Sequence, residues 1–137
     1  MKPVDREEER HGQQFPIVIV DDDESVRTAL ESLLKSMRLP AEGFASAEDF
    51  LHSTQVYDSA CLILDVHMPG MDGLELQRQL AEHECRVPII FITAYDDEDV
   101  RQQVLQAGAV DFLSKPFAEE DLLNAVHTAL QEDGETT

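Results

Sequence analysis

The stretch "CLILDVHMPGMDGLEL", residues 61–76, decides the fold. Four apolar residues run into Asp65, Pro69-Gly70 and Asp72-Gly73 mark a turn, and Leu74, Leu76 and Leu80 then open a helical pattern. An apolar run ended by an acid and followed at once by a helix is the signature of a strand buried on both faces, whose C-terminal end opens onto a loop. The same grammar recurs along the chain. Strand-like runs occupy Phe15 to Asp21 and Pro88 to Thr93, with weaker ones at Ala41 to Ala45 and Val110 to Ser114. Between them lie helical patterns. One is capped by Asp23 and carries Val26, Leu30, Leu33, Leu34 and Met37; a second covers Ala47 to Ser53 behind Ser46. The third, starting after Gly73, ends near His83. A fourth carries Val100, Val104 and Ala107 before Gly108, and a fifth carries Leu122, Leu123, Val126 and Leu130 behind the acids Glu119, Glu120 and Asp121.

Five strands alternating with five helices predict an α/β fold, a doubly wound parallel sheet with helices on both faces and right-handed crossovers. At 137 residues there is room for one such domain, expected over 15–131, with a flexible N-terminal extension at 1–14 and a disordered tail at 132–137. An apolar fraction of 42% and a charged fraction of 28% are ordinary for a globular chain. The charge balance is not: 29 acidic against 10 basic residues give −19, which repels phosphate backbones and anionic lipid and argues against direct nucleic-acid or membrane binding. Two cysteines are too few for a disulfide framework, and no stretch has the apolar core of a signal peptide or membrane span, so a cytoplasmic location is the default expectation.

In a sheet of this kind ligands bind beyond the carboxyl ends of the strands. Asp21, Asp65, Thr93 and Lys115 each stand at or just past the end of a different strand, and Asp22 follows Asp21, so the five are expected on one rim. Two carboxylates about 4 Å apart repel by roughly 4 kcal/mol at an effective dielectric near 20. A hard divalent cation with oxygen ligands, Mg2+ or Mn2+, relieves this, and Lys115 adds a second positive charge. A carboxylate so placed can attack phosphorus to form an aspartyl phosphate, and Asp65, at the end of the central run, is the candidate. The lone His11, His52, His83 and His127 have no partners at metal-ligand spacing.

These residues resemble the receiver domain of two-component response regulators, a CheY-like superfamily. "VIVDDDESVR" is similar to its first-strand acid pair, "LILDVHMPGMDGLEL" to its phosphoacceptor loop, "IIFITAY" to its fourth strand and "GAVDFLSKPF" to its Lys-Pro loop, with spacings of 43, 28 and 22 residues from Asp22 to Asp65 to Thr93 to Lys115. The resemblance covers about residues 15–131 and implies a flavodoxin-like (βα)5 sheet in the order 2-1-3-4-5. It further implies phosphorylation of Asp65 by a sensor histidine kinase or a phosphotransfer protein. Mg2+ would be held by Asp22, Asp65 and the backbone carbonyl of His67, with Asp21 joining through water. Ala94 would let the phosphoryl group approach the backbone, Thr93 and Phe112 would reorient as a switch pair, and the Lys115–Pro116 bond would be cis. Tyr95 and His67 would border the phosphoryl pocket.

The expected protein is a self-phosphorylating and self-dephosphorylating switch, not a turnover enzyme, and a phosphorylation-dependent homodimer is compatible with it. Two other readings compete: an interaction module with this fold that never takes phosphate, and an aspartyl-phosphate phosphohydrolase. The second needs another acid two residues after the nucleophile, where His67 stands, and a cap domain for which no residues remain. Whether the chain stands alone or belongs to a longer, transcription-factor-type regulator is left open by the residues.

Overall fold

The computed structural model describes residues 15–135, with side chains to residue 131; the expected extension at 1–14, with His11, lies outside the described residues. Strands β1 (Ile17–Val20), β2 (Ala41–Phe44), β3 (Cys61–Asp65), β4 (Ile89–Thr93) and β5 (Asp111–Ser114) alternate with helices α1 (Glu24–Ser36), α2 (Ala47–Leu51), α3 (Gly73–Glu82), α4 (Glu98–Gln106) and α5 (Glu119–Glu135). The sheet is parallel throughout, in the expected order β2-β1-β3-β4-β5.

The three central strands are buried at every residue, which is why they read as unbroken apolar runs. Alternate side chains leave on opposite faces. Ile17, Ile19, Cys61, Ile63, Ile90 and Ile92 pack against Leu30 and Leu34 of α1 and Leu122, Ala125, Val126 and Ala129 of α5. Val18, Val20, Leu62, Leu64 and Phe91 pack on the other face against Phe50 of α2, Leu76 and Leu80 of α3 and Val104 of α4.

Carboxylates and a serine start the helices. Asp23, Ser46, Asp72 and Asp97 each accept a main-chain N–H from the first turn of α1, α2, α3 and α4. Gly108, at φ +106°, follows the end of α4 as its position suggested. Two apolar positions fall outside the faces expected for them: Met37 lies beyond the end of α1 and is exposed, and Ala107 is the exposed last cap of α4. Helix α2 ends at Leu51, short of Ser53, and α5 continues into the stretch expected as a tail, to Glu135. Among the described residues no helix is long and apolar enough to cross a membrane.

Candidate functional site

Parallel register carries the first, third and fourth strands to the same edge: Val20 pairs with Leu64, and Asp65 with Ile92, so Asp21, Asp65 and Thr93 come out side by side. β5 adds Lys115, whose amide donates to the Thr93 carbonyl at 2.7 Å. The Lys115–Pro116 bond is cis.

Asp21 is fully buried. Its amide donates to the Phe44 carbonyl of β2 at 3.2 Å, extending the strand ladder by one residue. Its Oδ1 accepts the Asp23 N–H and its Oδ2 the Lys115 ammonium, both at 2.9 Å. Asp65 is 5% exposed; its Oδ1 accepts the His67 N–H at 3.3 Å and its Oδ2 lies 3.6 Å from Lys115 Nζ. Burial, and then the neighbouring Asp21 charge, push the Asp65 carboxyl up to about 6 against the pull of Lys115. Burial would draw the Lys115 ammonium down, but the hydrogen bond it donates to Asp21 and the charges of Asp65 and Asp21 outweigh it and raise its pKa.

Asp22 is exposed at the mouth. Asp21, Asp22 and Asp65 each offer a carboxylate oxygen within 4.8 Å of the others. This donor set is all oxygen and anionic, and one ammonium neutralises only part of it, so the residues fit a hard divalent cation. The fit rests on the raised Asp65 carboxyl as well as on proximity, because a group that resists ionisation beside Asp21 is one that a bound cation would relieve.

The remaining expected residues fall around this centre. Thr93 is buried, and its hydroxyl accepts the Tyr95 N–H at 3.0 Å and donates to the Tyr95 carbonyl at 3.1 Å, so it is turned along its own loop. Ala94 is exposed beside it. The rings of His67 and Tyr95, both exposed, meet edge to face at 5.3 Å between centroids, across the gap between the loops after β3 and β4. Phe112 is buried in the core on the α2–α3–α4 face.

Three contributors were not singled out from the sequence. Gly73, read as a turn residue, lies against the main chain of the phosphoacceptor candidate: a Cβ there would collide with the Asp65 carbonyl oxygen and lie 3.1 Å from Val66 Cα. Glu48 of α2 accepts the Met71 N–H at 3.2 Å and braces the loop that follows Asp65. Arg27 of α1 donates to the Asp21 carbonyl at 2.8 Å. Glycine at a helix start is a visible signal for close approach; the Glu48 contact joins segments 23 residues apart, and the Arg27 contact, six residues back to the end of β1, has no sequence signature.

The family model described as response regulator receiver domain matches residues 17–127. The response regulator protein TmoT of Ectopseudomonas mendocina is 48% identical over 121 residues, covering 88% of this chain and 55% of that protein. TodT of Pseudomonas putida, also a response regulator protein, is 49% identical over 115 residues, covering 84% and 51%. A solved structure of the response regulator StyR superposes with a TM-score of 0.80 at 45% identity, covering 88% of this chain and 62% of that one. The chain spans about half the length of the curated relatives it matches.

Proposed function

The chain belongs to the response regulator receiver domain family of two-component systems, and from that premise we propose that it takes a phosphoryl group onto Asp65 in a Mg2+-dependent reaction and uses the modification to change its partner contacts. The observation that carries this is the position of Asp65, buried beside Asp21 yet 3.6 Å from a lysine ammonium, at a rim where carboxylate oxygens converge.

Asp65 acts as nucleophile: a carboxylate oxygen bonds to phosphorus while the bond from phosphorus to the donor imidazole nitrogen breaks, its electron pair leaving with the imidazole. With its pKa near 6, Asp65 is ionised at neutral pH, so no base is required to deprotonate it. Asp22, Asp65 and the His67 carbonyl would hold Mg2+ directly, with Asp21 through water. Bound there, the ion would neutralise charge on the transferring group. Lys115 stays paired to Asp21 and turns its remaining donors toward the oxygens on Asp65. Thr93 exchanges its bonds with Tyr95 for one to the phosphoryl group, the Ala94 amide donates to another oxygen, and Phe112 follows Thr93, altering the surface built by α4, β5 and α5.

The functional unit in this reading is 15–131, the donor is a sensor histidine kinase or a phosphotransfer protein, and the acidic chain itself does not bind nucleic acid. A phosphorylation-dependent homodimer is one form the changed contacts could take. The direct test is incubation with acetyl phosphate and Mg2+ followed by intact mass measurement. One added phosphoryl group is expected, absent without Mg2+ and absent in Asp65→Asn; addition that survives this substitution would move the acceptor elsewhere.

A further inference from the structure

Arg27 lies one turn into α1, its amide donating to the Asp23 carbonyl at 3.1 Å, and its side chain turns back toward the strand that precedes the helix. Nη1 reaches the main-chain carbonyl of Asp21 at 2.8 Å. Gly43 of β2 lies under this turn of the helix: a Cβ there would collide first with the Glu31 carboxylate and stand 3.3 Å from Arg27 Cδ, so a residue with no side chain leaves room for both side chains. Asp21 is thus gripped by two cations at different points, Lys115 on the carboxylate and Arg27 on the carbonyl.

The carbonyl grip bears on the neighbouring residue. The Asp21 carbonyl oxygen and the Asp22 nitrogen share one rigid peptide plane, so holding the oxygen sets the direction in which Asp22 leaves β1. Among the described residues the Asp22 carboxylate makes no hydrogen bond or ion pair of its own, so its aim comes from the main chain on either side: the Arg27-held peptide before it and the Asp23 cap of α1 after it. Yet one of its oxygens lies within 4.8 Å of oxygens of Asp21 and Asp65.

We infer that Arg27 is a positioning residue for the cation site: by holding the Asp21 carbonyl it aims the Asp22 carboxylate at the rim shared with Asp65. This rests on reading the rim as a Mg2+ site, and the experiment separates the two. Mg2+ binding is measured by calorimetry on the wild type, Arg27→Ala and Arg27→Lys, each checked for folding by circular dichroism. The rate of labelling by acetyl phosphate is followed against Mg2+ concentration. Arg27→Ala should weaken Mg2+ binding about tenfold, the lower end of what losing an outer partner does at metal sites. Its labelling rate at saturating Mg2+ should stay near that of wild type, so the half-saturation point moves and the plateau does not. Arg27→Lys keeps a donor for the carbonyl and should recover most of the affinity. A folded Arg27→Ala with unchanged affinity overturns the inference, as does a plateau that falls while affinity holds. If Arg27→Ala does not fold, Arg27→Gln is read by the same two criteria. A wild type that takes up no Mg2+ removes the site reading itself, and this inference with it.

Discussion

Lys115 and Asp21, 94 residues apart in sequence, meet at 2.9 Å beneath the rim, and the same ammonium stands 3.6 Å from Asp65. One cation therefore serves two buried carboxylates, each of which also accepts a main-chain N–H, from Asp23 and from His67. Removing it leaves a fully buried charge without its partner, which costs about 3–5 kcal/mol for such pairs. Lys115→Ala should lower stability by that order in urea denaturation without divalent cation, and Mg2+ should restore part of the loss. An equal loss with and without Mg2+ would show that the ammonium and the ion do not share a task. Because the lysine pKa is raised by folding, its contribution should be present through neutral pH and be lost only as pH rises past the ordinary lysine value and through the raised folded one.

Asp65 acts in the same direction but in a lower pH window. Its carboxyl is raised to about 6, so between the unfolded value near 4 and the folded value the native state binds more protons than the unfolded state, and stability falls as pH rises through that window. Asp65→Asn should therefore stabilise the metal-free protein at pH 8 by up to about 2–3 kcal/mol, at roughly 1.4 kcal/mol per pKa unit, with the gain fading toward pH 4. Paired denaturation curves at pH 4, 6 and 8 check it. A gain independent of pH would mean that the ionised carboxylate is not the source.

Gly73→Ala places a methyl group against the Asp65 carbonyl and Val66 Cα, main-chain atoms that cannot step aside as a flexible side chain would. Overpacking of this kind costs about 1–3 kcal/mol. The displacement falls on the proposed acceptor itself, so acetyl phosphate labelling should slow by more than the loss of stability explains. Labelling at the wild-type rate in the folded variant would show that the backbone there tolerates the shift.

Thr93 separates a structural from a chemical use of one hydroxyl. Thr93→Val removes both bonds to the Tyr95 main chain in a buried setting, with an expected loss of about 1–3 kcal/mol, whereas Thr93→Ser keeps the oxygen and loses one methyl, worth about 0.8 kcal/mol. Both should still accept a phosphoryl group, since Asp65, the proposed nucleophile, is untouched. Only Thr93→Val should lose the phosphorylation-induced change in amide hydrogen exchange around Phe112.

Much of this was legible in the residues because the governing signals are local. β1, β3 and β4 are buried on both faces and so spell continuous apolar runs, and parallel strands put the residue that follows each run on one edge; Asp21, Asp65 and Thr93 needed nothing more. The mixed β2 was also readable, from its place between two helices. What stayed hidden depends on contacts between distant segments. Arg27 looks like one more polar residue of an amphipathic helix until Gly43 is seen beneath it, and Glu48 like a first-turn acid until Met71 lies beside it. Met37 misled for a related reason: helical spacing put it with the core, but α1 had already ended.

The acids of the rim leave the sheet early in the chain and the ammonium that joins them leaves it last, at the end of β5. During synthesis, then, Asp21 and Asp65 are made well before their counter-charge, and a nascent chain that stops short of Lys115 has no reason to draw those acids out of water. Closure of the pocket is thereby tied to completion of the sheet, because the ammonium that joins the acids arrives only with the end of β5.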